Sequence, residues 1–135
     1  MYKKSELALK LLSTENELDR FDMLTDAAFA AEKFPERLKT DENRLVSCET
    51  KTWYRLEFDG KIKLLAESDS VFVKGLCAVL ADIAAKIGKE DLPAKIGFAD
   101  ECFSKGIIDI KRRNGLNYLE EKIIAFAIKN IGGTK

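Results

Sequence analysis

Apolar residues recur at helical spacing in several stretches of the chain and alternate with polar ones in another, and this pattern predicts the elements. A short helix is expected around Ser5 to Leu12. Thr14 followed by Glu17 has the form of a capping box, opening a helix with Leu18, Phe21, Leu24, Ala28 and Ala31 on its inner face. Pro35 is expected to end that helix, because proline restricts its predecessor and lacks an N–H. The polar segment from Pro35 to Asn43 reads as mostly loop. From Thr52 to Phe58, Tyr54, Leu56 and Phe58 alternate with Arg55 and Glu57, the mark of a half-buried strand. Asp59-Gly60 is a hairpin turn, and Ile62, Leu64 and Ala66 place a second strand after it. Arg44 to Ser47 offers a short third strand. Glu67-Ser68-Asp69-Ser70 supplies caps for a helix whose apolar face is Val73, Leu76, Cys77, Leu80, Ala84 and Ile87, closed by Gly88. A short helix is expected near Ala99 to Lys105. The last helix should start near Asn114 or Asn117, turn Leu119, Ile123, Phe126 and Ala127 inward, and end at Gly132-Gly133. The fold class is α+β: a small antiparallel sheet of about three strands packed against helices.

Composition narrows the function classes. A chain of 135 residues suits one domain, 1–135, with a core that needs no metal or disulfide staple. Its 46% hydrophobic and 34% charged residues describe a soluble globular protein. Basic and acidic residues number 23 each, so no net field draws the chain to nucleic acid or to an anionic membrane. Glu6 and Lys10 interrupt any signal-peptide core, and no run is apolar enough to span a bilayer; a cytoplasmic, reducing location is expected. Three cysteines at wide spacing are not a disulfide framework. The absence of histidine removes histidine-based triads and metal sites.

The three cysteines differ in context. Cys77 falls on the apolar face of a helix and reads as a small core hydrophobe, and Cys102, beside Phe103, also reads as core or half-core. Cys48 lies among Ser47, Glu49, Thr50 and Lys51, just before the first clear strand, with no apolar periodicity through it. Position alone leaves two readings open, an ordinary strand-edge cysteine and a nucleophile presented by a loop on a rigid sheet. The attacking form is the thiolate, which Glu49 would disfavour and Lys51 or a folded-in arginine would favour.

The segment Asn43-Arg44-Leu45-Val46-Ser47-Cys48-Glu49-Thr50-Lys51-Thr52-Trp53 resembles the cysteine loop of the SufE family, with Trp opening the following strand. Asp69-Ser70 and then Val73-Lys74-Gly75-Leu76 are similar to the family's acidic block and the helix after it. Arg112-Arg113-Asn114-Gly115-Leu116 resembles its arginine-bearing element near the last helix. The likeness runs in a consistent order from about Asp19 to Ala127. Ser47 stands where the family has glycine before the cysteine, and Thr50 where it has serine. The resemblance implies a monomeric or weakly dimeric α+β domain that holds no cofactor and no metal. Its partner would be a cysteine desulfurase dependent on pyridoxal phosphate (PLP). By resemblance Cys48 takes the outer sulfur of the desulfurase persulfide, stimulates that enzyme, and passes sulfur to an iron–sulfur assembly scaffold. The chain would thus be an accessory sulfur-transfer protein rather than a free-standing enzyme.

Other residues carry two readings each. Asp69 is a carboxylate at a helix start, favoured by the dipole, or, by resemblance, a group resting near the cysteine loop. Arg112 is a solvated charge, or its guanidinium steadies the loop or the persulfide anion. Trp53 is expected as a core anchor, and Gly75, costing a helix about 1 kcal/mol against Ala, as a close packing contact. Two other functions compete with the carrier. One is a NifU-like cluster scaffold, which needs several cysteines converging on iron; the other is a binding module that regulates a desulfurase without carrying sulfur.

Overall fold

Short polar side chains set the starts of most of the α-helices. In the computed structural model, which describes residues 2–46 and 49–132, the Ser5 hydroxyl accepts the Ala8 N–H at 3.1 Å and opens α1 (Glu6–Ser13). The expected Thr14/Glu17 capping box is not formed. Thr14 closes α1 instead, its hydroxyl donating to the Lys10 carbonyl at 2.7 Å. Asn16 opens α2 (Glu17–Ala30) by accepting the Asp19 N–H at 3.0 Å. Pro35 does not end α2, which stops at Ala30. The chain already leaves the helix at Ala31 (ψ 149°), ahead of the residue whose backbone the proline restricts. That residue, Phe34, is turned inward and almost fully buried. Two short 3-10 turns, Glu36–Leu38 and Asp41–Asn43, follow.

Strands β1 (Thr52–Phe58) and β2 (Ile62–Ser68) pair antiparallel from Thr52↔Ser68 to Phe58↔Ile62. Gly60, at φ +74°, makes the turn between them. The third strand is not formed among the described residues. Arg44 makes one bridge to Trp53, and the Leu45 N–H donates to the Thr52 carbonyl at 2.8 Å. Beyond the bridge, Leu45 turns into the core and Val46 faces solvent.

Helix α3 (Val71–Ala85) starts at Ser70, whose hydroxyl accepts the Val73 N–H at 3.2 Å. It is the central element: α1, α2, β2 and α5 pack on it. The expected inner face of Val73, Leu76, Cys77, Leu80 and Ala84, with Ile87 just beyond it, is buried throughout. Gly88 does not close α3. It begins a short turn, its N–H donating to Asp91 Oδ2 at 2.8 Å. At Gly75 the α2 backbone comes so close that a Cβ would collide with the Leu24 carbonyl oxygen, so the expected packing contact is present.

Helix α4 (Phe98–Ser104) lies against α5 (Ile110–Ala127). The last helix begins earlier than its sequence suggested, because Asp109 Oδ1 accepts the Arg112 N–H at 2.9 Å and caps it. A π turn, Ile128–Gly132, follows α5; Gly133 lies outside the described residues.

Trp53 is not a core anchor. It is half-buried on the outer sheet face, with the Lys39 ammonium 5.6 Å and the Arg44 guanidinium 6.0 Å from its ring centroid. Two of the residues assigned to the inner face of α2 are also misplaced. Leu24 and Ala28 are buried, but Leu18 and Phe21 are exposed.

Glu120 on α5 is 2% exposed, and its Oε2 accepts the Ala99 N–H at 2.7 Å. Burial pushes its carboxyl up to about 7, against an ordinary 4.5. The folded chain therefore holds this proton more tightly than the unfolded chain. Its contribution to stability is complete below about pH 4.5 and lost as pH rises towards 7. The loss is on the order of 3 kcal/mol by the linkage relation. Urea unfolding at pH 5 and pH 8 should show wild type losing that much relative to Glu120→Gln, whose amide does not titrate. Parallel pH dependence in both proteins would contradict the assignment.

Candidate functional site

Cys48, with Ser47, lies outside the described residues, so the site is defined by the frame on either side of it. The Leu45–Thr52 hydrogen bond joins the two described flanks of residues 47 and 48 at the start of β1. Leu45, 1% exposed, lines a small gap together with Val73, Leu76 and Cys77 of α3 and Arg112, Gly115 and Leu116 of α5. Burying a leucine side chain contributes about 2 kcal/mol. Val46, next along, is 76% exposed. A core anchor and a solvent-facing neighbour thus lead directly into Ser47 and Cys48.

The far side of the loop is tied three times. The buried Thr52 hydroxyl donates to the Thr50 carbonyl at 3.0 Å and shares a hydrogen bond of 3.0 Å with Ser68 Oγ. Asp69 donates its backbone N–H to the Lys51 carbonyl at 3.0 Å. Its side chain is exposed and does not cap α3; Ser70 does. Asp69 therefore meets the loop through its backbone. Glu49 forms an ion pair with Lys111 at 2.9 Å, both side chains well exposed, so water and salt screen the contact.

Lys111, Arg112 and Arg113 form a cationic first turn on α5, where the helix dipole favours anions. Two of the charges are taken up. Lys111 meets Glu49, and Arg113 Nε donates to Asp100 at 2.9 Å. Hydrogen bonds from Lys95, Arg113 and Asn117 hold the Asp100 carboxyl well below its ordinary range. Arg112 is less engaged. Its guanidinium lies 5.3 Å from the Phe72 ring centroid, and Nη1 is 3.8 Å from Asp109 Oδ2. Its Nε is buried and makes no hydrogen bond among the described residues. Arg112 thus packs beside the Leu45 anchor and carries a charge that its own helix does not favour.

Of the predicted site residues, Arg112 and Asp69 both border the loop, from α5 and from the start of α3. Sequence reasoning missed two others. Leu45 was detectable as a lone leucine in a polar stretch. Lys111 carried no local signal, because its partner Glu49 is 62 residues away. Cys77 and Cys102 are buried as expected, and burial pushes the Cys102 thiol up to about 12. Among the described residues no three ligand-type side chains converge as a metal site, and no helix is long and apolar enough to cross a membrane.

Comparison with known proteins adds the family. The SufE model, described as an Fe-S metabolism associated domain, matches residues 5–127. The sulfur acceptor protein CsdE of Escherichia coli (strain K12) is 32% identical over 95 residues, 67% of this chain and 65% of that protein. A chloroplastic quinolinate synthase of Arabidopsis thaliana is 32% identical over 84 residues, 61% of this chain. The match spans only 12% of the synthase. The solution structure of a hypothetical protein from Thermus thermophilus superposes with a TM-score of 0.67 over 96% of both chains at 17% identity, a likeness of fold. With the family model covering all of α1 to α5 and the cysteine segment between them, the chain belongs to the SufE family.

Proposed function

We propose that this chain, acting as one SufE-like domain in the cytoplasm, is a sulfur acceptor in iron–sulfur metabolism and that Cys48 is the accepting residue. The observation that carries the reading is the frame of the loop. Leu45 is sunk in the core beside the under-used cation of Arg112, and Thr52 is pinned to Ser68, so both described flanks of Cys48 are held. The sulfur-acceptor name of CsdE supports the same reading.

The donor is a PLP-dependent cysteine desulfurase carrying a persulfide. The Cys48 thiolate attacks the outer persulfide sulfur. A new S–S bond forms on Cys48, the donor's S–S bond breaks, and the electron pair leaves on the donor thiolate, so no net oxidant is needed. An iron–sulfur assembly scaffold then receives the sulfur. Arg112 acts as a positioning residue. Its positive charge favours the thiolate over the thiol and holds the persulfide anion near the loop. Asp69 fixes the loop's exit through its bond to Lys51.

The test is an intact-mass measurement after incubation with a desulfurase, cysteine and pyridoxal phosphate. Wild type should gain one sulfur, released by a reducing thiol. Arg112→Ala should gain it about tenfold more slowly, with Arg112→Lys between the two. No gain by wild type with any donor desulfurase would refute the proposal.

A further inference from the structure

Helix α2 carries more apolar surface than the fold uses. Leu24 and Ala28 are buried, and the close approach to Gly75 is made at Leu24. Leu18, Phe21 and Phe29 are 68%, 47% and 78% exposed. At about 3.6 residues per turn these three share a second face, adjoining the buried stripe on its solvent side. Isolated exposed hydrophobics are ordinary, but three large ones on one helix face mark an interaction surface.

The charges around that face identify its occupant. Glu15, Glu17, Asp19, Asp22 and Asp26 are all exposed, and none forms an ion pair among the described residues. Asp22 and Asp26 run along the edge of the apolar stripe. The only base between Glu15 and Asp26 is Arg20, whose Nε donates to the Thr14 carbonyl at 2.6 Å. Five carboxylates against one guanidinium leave −4 on this segment, so the rest of a chain of net charge +0 carries +4. Such a surface repels nucleic acid and anionic lipid, and pairing it with its own copy would oppose carboxylate to carboxylate.

We infer that the Leu18–Phe21–Phe29 face of α2 docks a basic amphipathic helix of a partner protein, apolar side against apolar stripe and lysines or arginines against Asp22 and Asp26. The inference does not depend on sulfur transfer at Cys48, and it stands or falls separately.

The probe is a synthetic helix with leucines on one face and lysines on the other, titrated into the isotope-labelled full chain. Saturable binding is expected, with amide shifts confined to α2 and affinity falling as salt rises. Asp22→Lys with Asp26→Lys, and separately Leu18→Ser with Phe29→Ser, should each weaken binding about tenfold or more. Because all four positions are exposed, both double variants should melt as wild type does; if the serine pair fails to fold, the lysine pair decides. The inference is overturned by absence of binding, by shifts elsewhere, by unchanged affinity in the folded variants, or by equal binding of a leucine–glutamate helix. Sedimentation that reveals a dimer dissociated by Leu18→Ser with Phe29→Ser would also overturn it, in favour of self-association.

Discussion

Cys48→Ser is expected to take up no sulfur from a cysteine desulfurase, a fall of more than a hundredfold from wild type. Serine cannot form the S–S bond that holds the transferred atom, and the two remaining thiols do not replace the lost one. Cys102 is fully buried, and its thiol is pushed up to about 12, first by burial and then by Glu120 and Glu101. At pH 7 its thiolate fraction is on the order of one part in 100,000. Cys77 is 1% exposed on the inner face of α3, beneath the Leu45 anchor. A donor persulfide on another protein reaches neither without unfolding. The same variant separates the carrier from a binding module. Desulfurase turnover in the presence of Cys48→Ser should fall to the rate without any acceptor, whereas a module that only binds would stimulate as well as wild type. Mass gain by the serine variant would move the accepting site off Cys48.

Gly75→Ala is expected to destabilise the fold by about 2 kcal/mol or more, although alanine is the better helix former by about 1 kcal/mol. The added methyl would collide with the Leu24 carbonyl oxygen and stand 2.8 Å from both the carbonyl carbon and the Cβ of Leu24. Two of these atoms are backbone, so no rotamer change relieves the clash and α2 must move off α3. Overpacking of this kind costs about 1–3 kcal/mol, occasionally more. At roughly 4 °C per kcal/mol for a chain of this size, the melting temperature should fall by about 8 °C or more. A melting temperature equal to or above wild type would show that the two helices separate freely. Leu24→Ala tests the same contact from the other side. All three colliding atoms survive that change, so it should not rescue Gly75→Ala.

Much of the fold was legible because local chemistry dictated it. The alternation from Thr52 to Phe58, the Asp59-Gly60 turn and the apolar face from Val73 to Ile87 each report a periodicity that a single element must satisfy. The misplaced helix ends share one source. Thr14, Asn16 and Asp109 all suit helix ends, and sequence does not say which end each one serves. Thr14 closes α1, and Asp109 starts α5 ahead of Asn114 and Asn117. Leu18 and Phe21 fit the period of α2 as well as Leu24 does, yet a helix packed on one neighbour buries only the stripe that faces it.

The sequence by itself determined the α+β class, the core placement of Cys77 and Cys102, and the motifs shared with the SufE family, because these depend on residue type and short-range spacing. Only the tertiary structure decided that Leu45 is the anchor of the cysteine loop, that Lys111 reaches Glu49, and that Arg112 borders the loop from the start of α5. These contacts join residues more than 25 positions apart. They arise from how α3 and α5 pack, and no local pattern of apolar and polar residues encodes that.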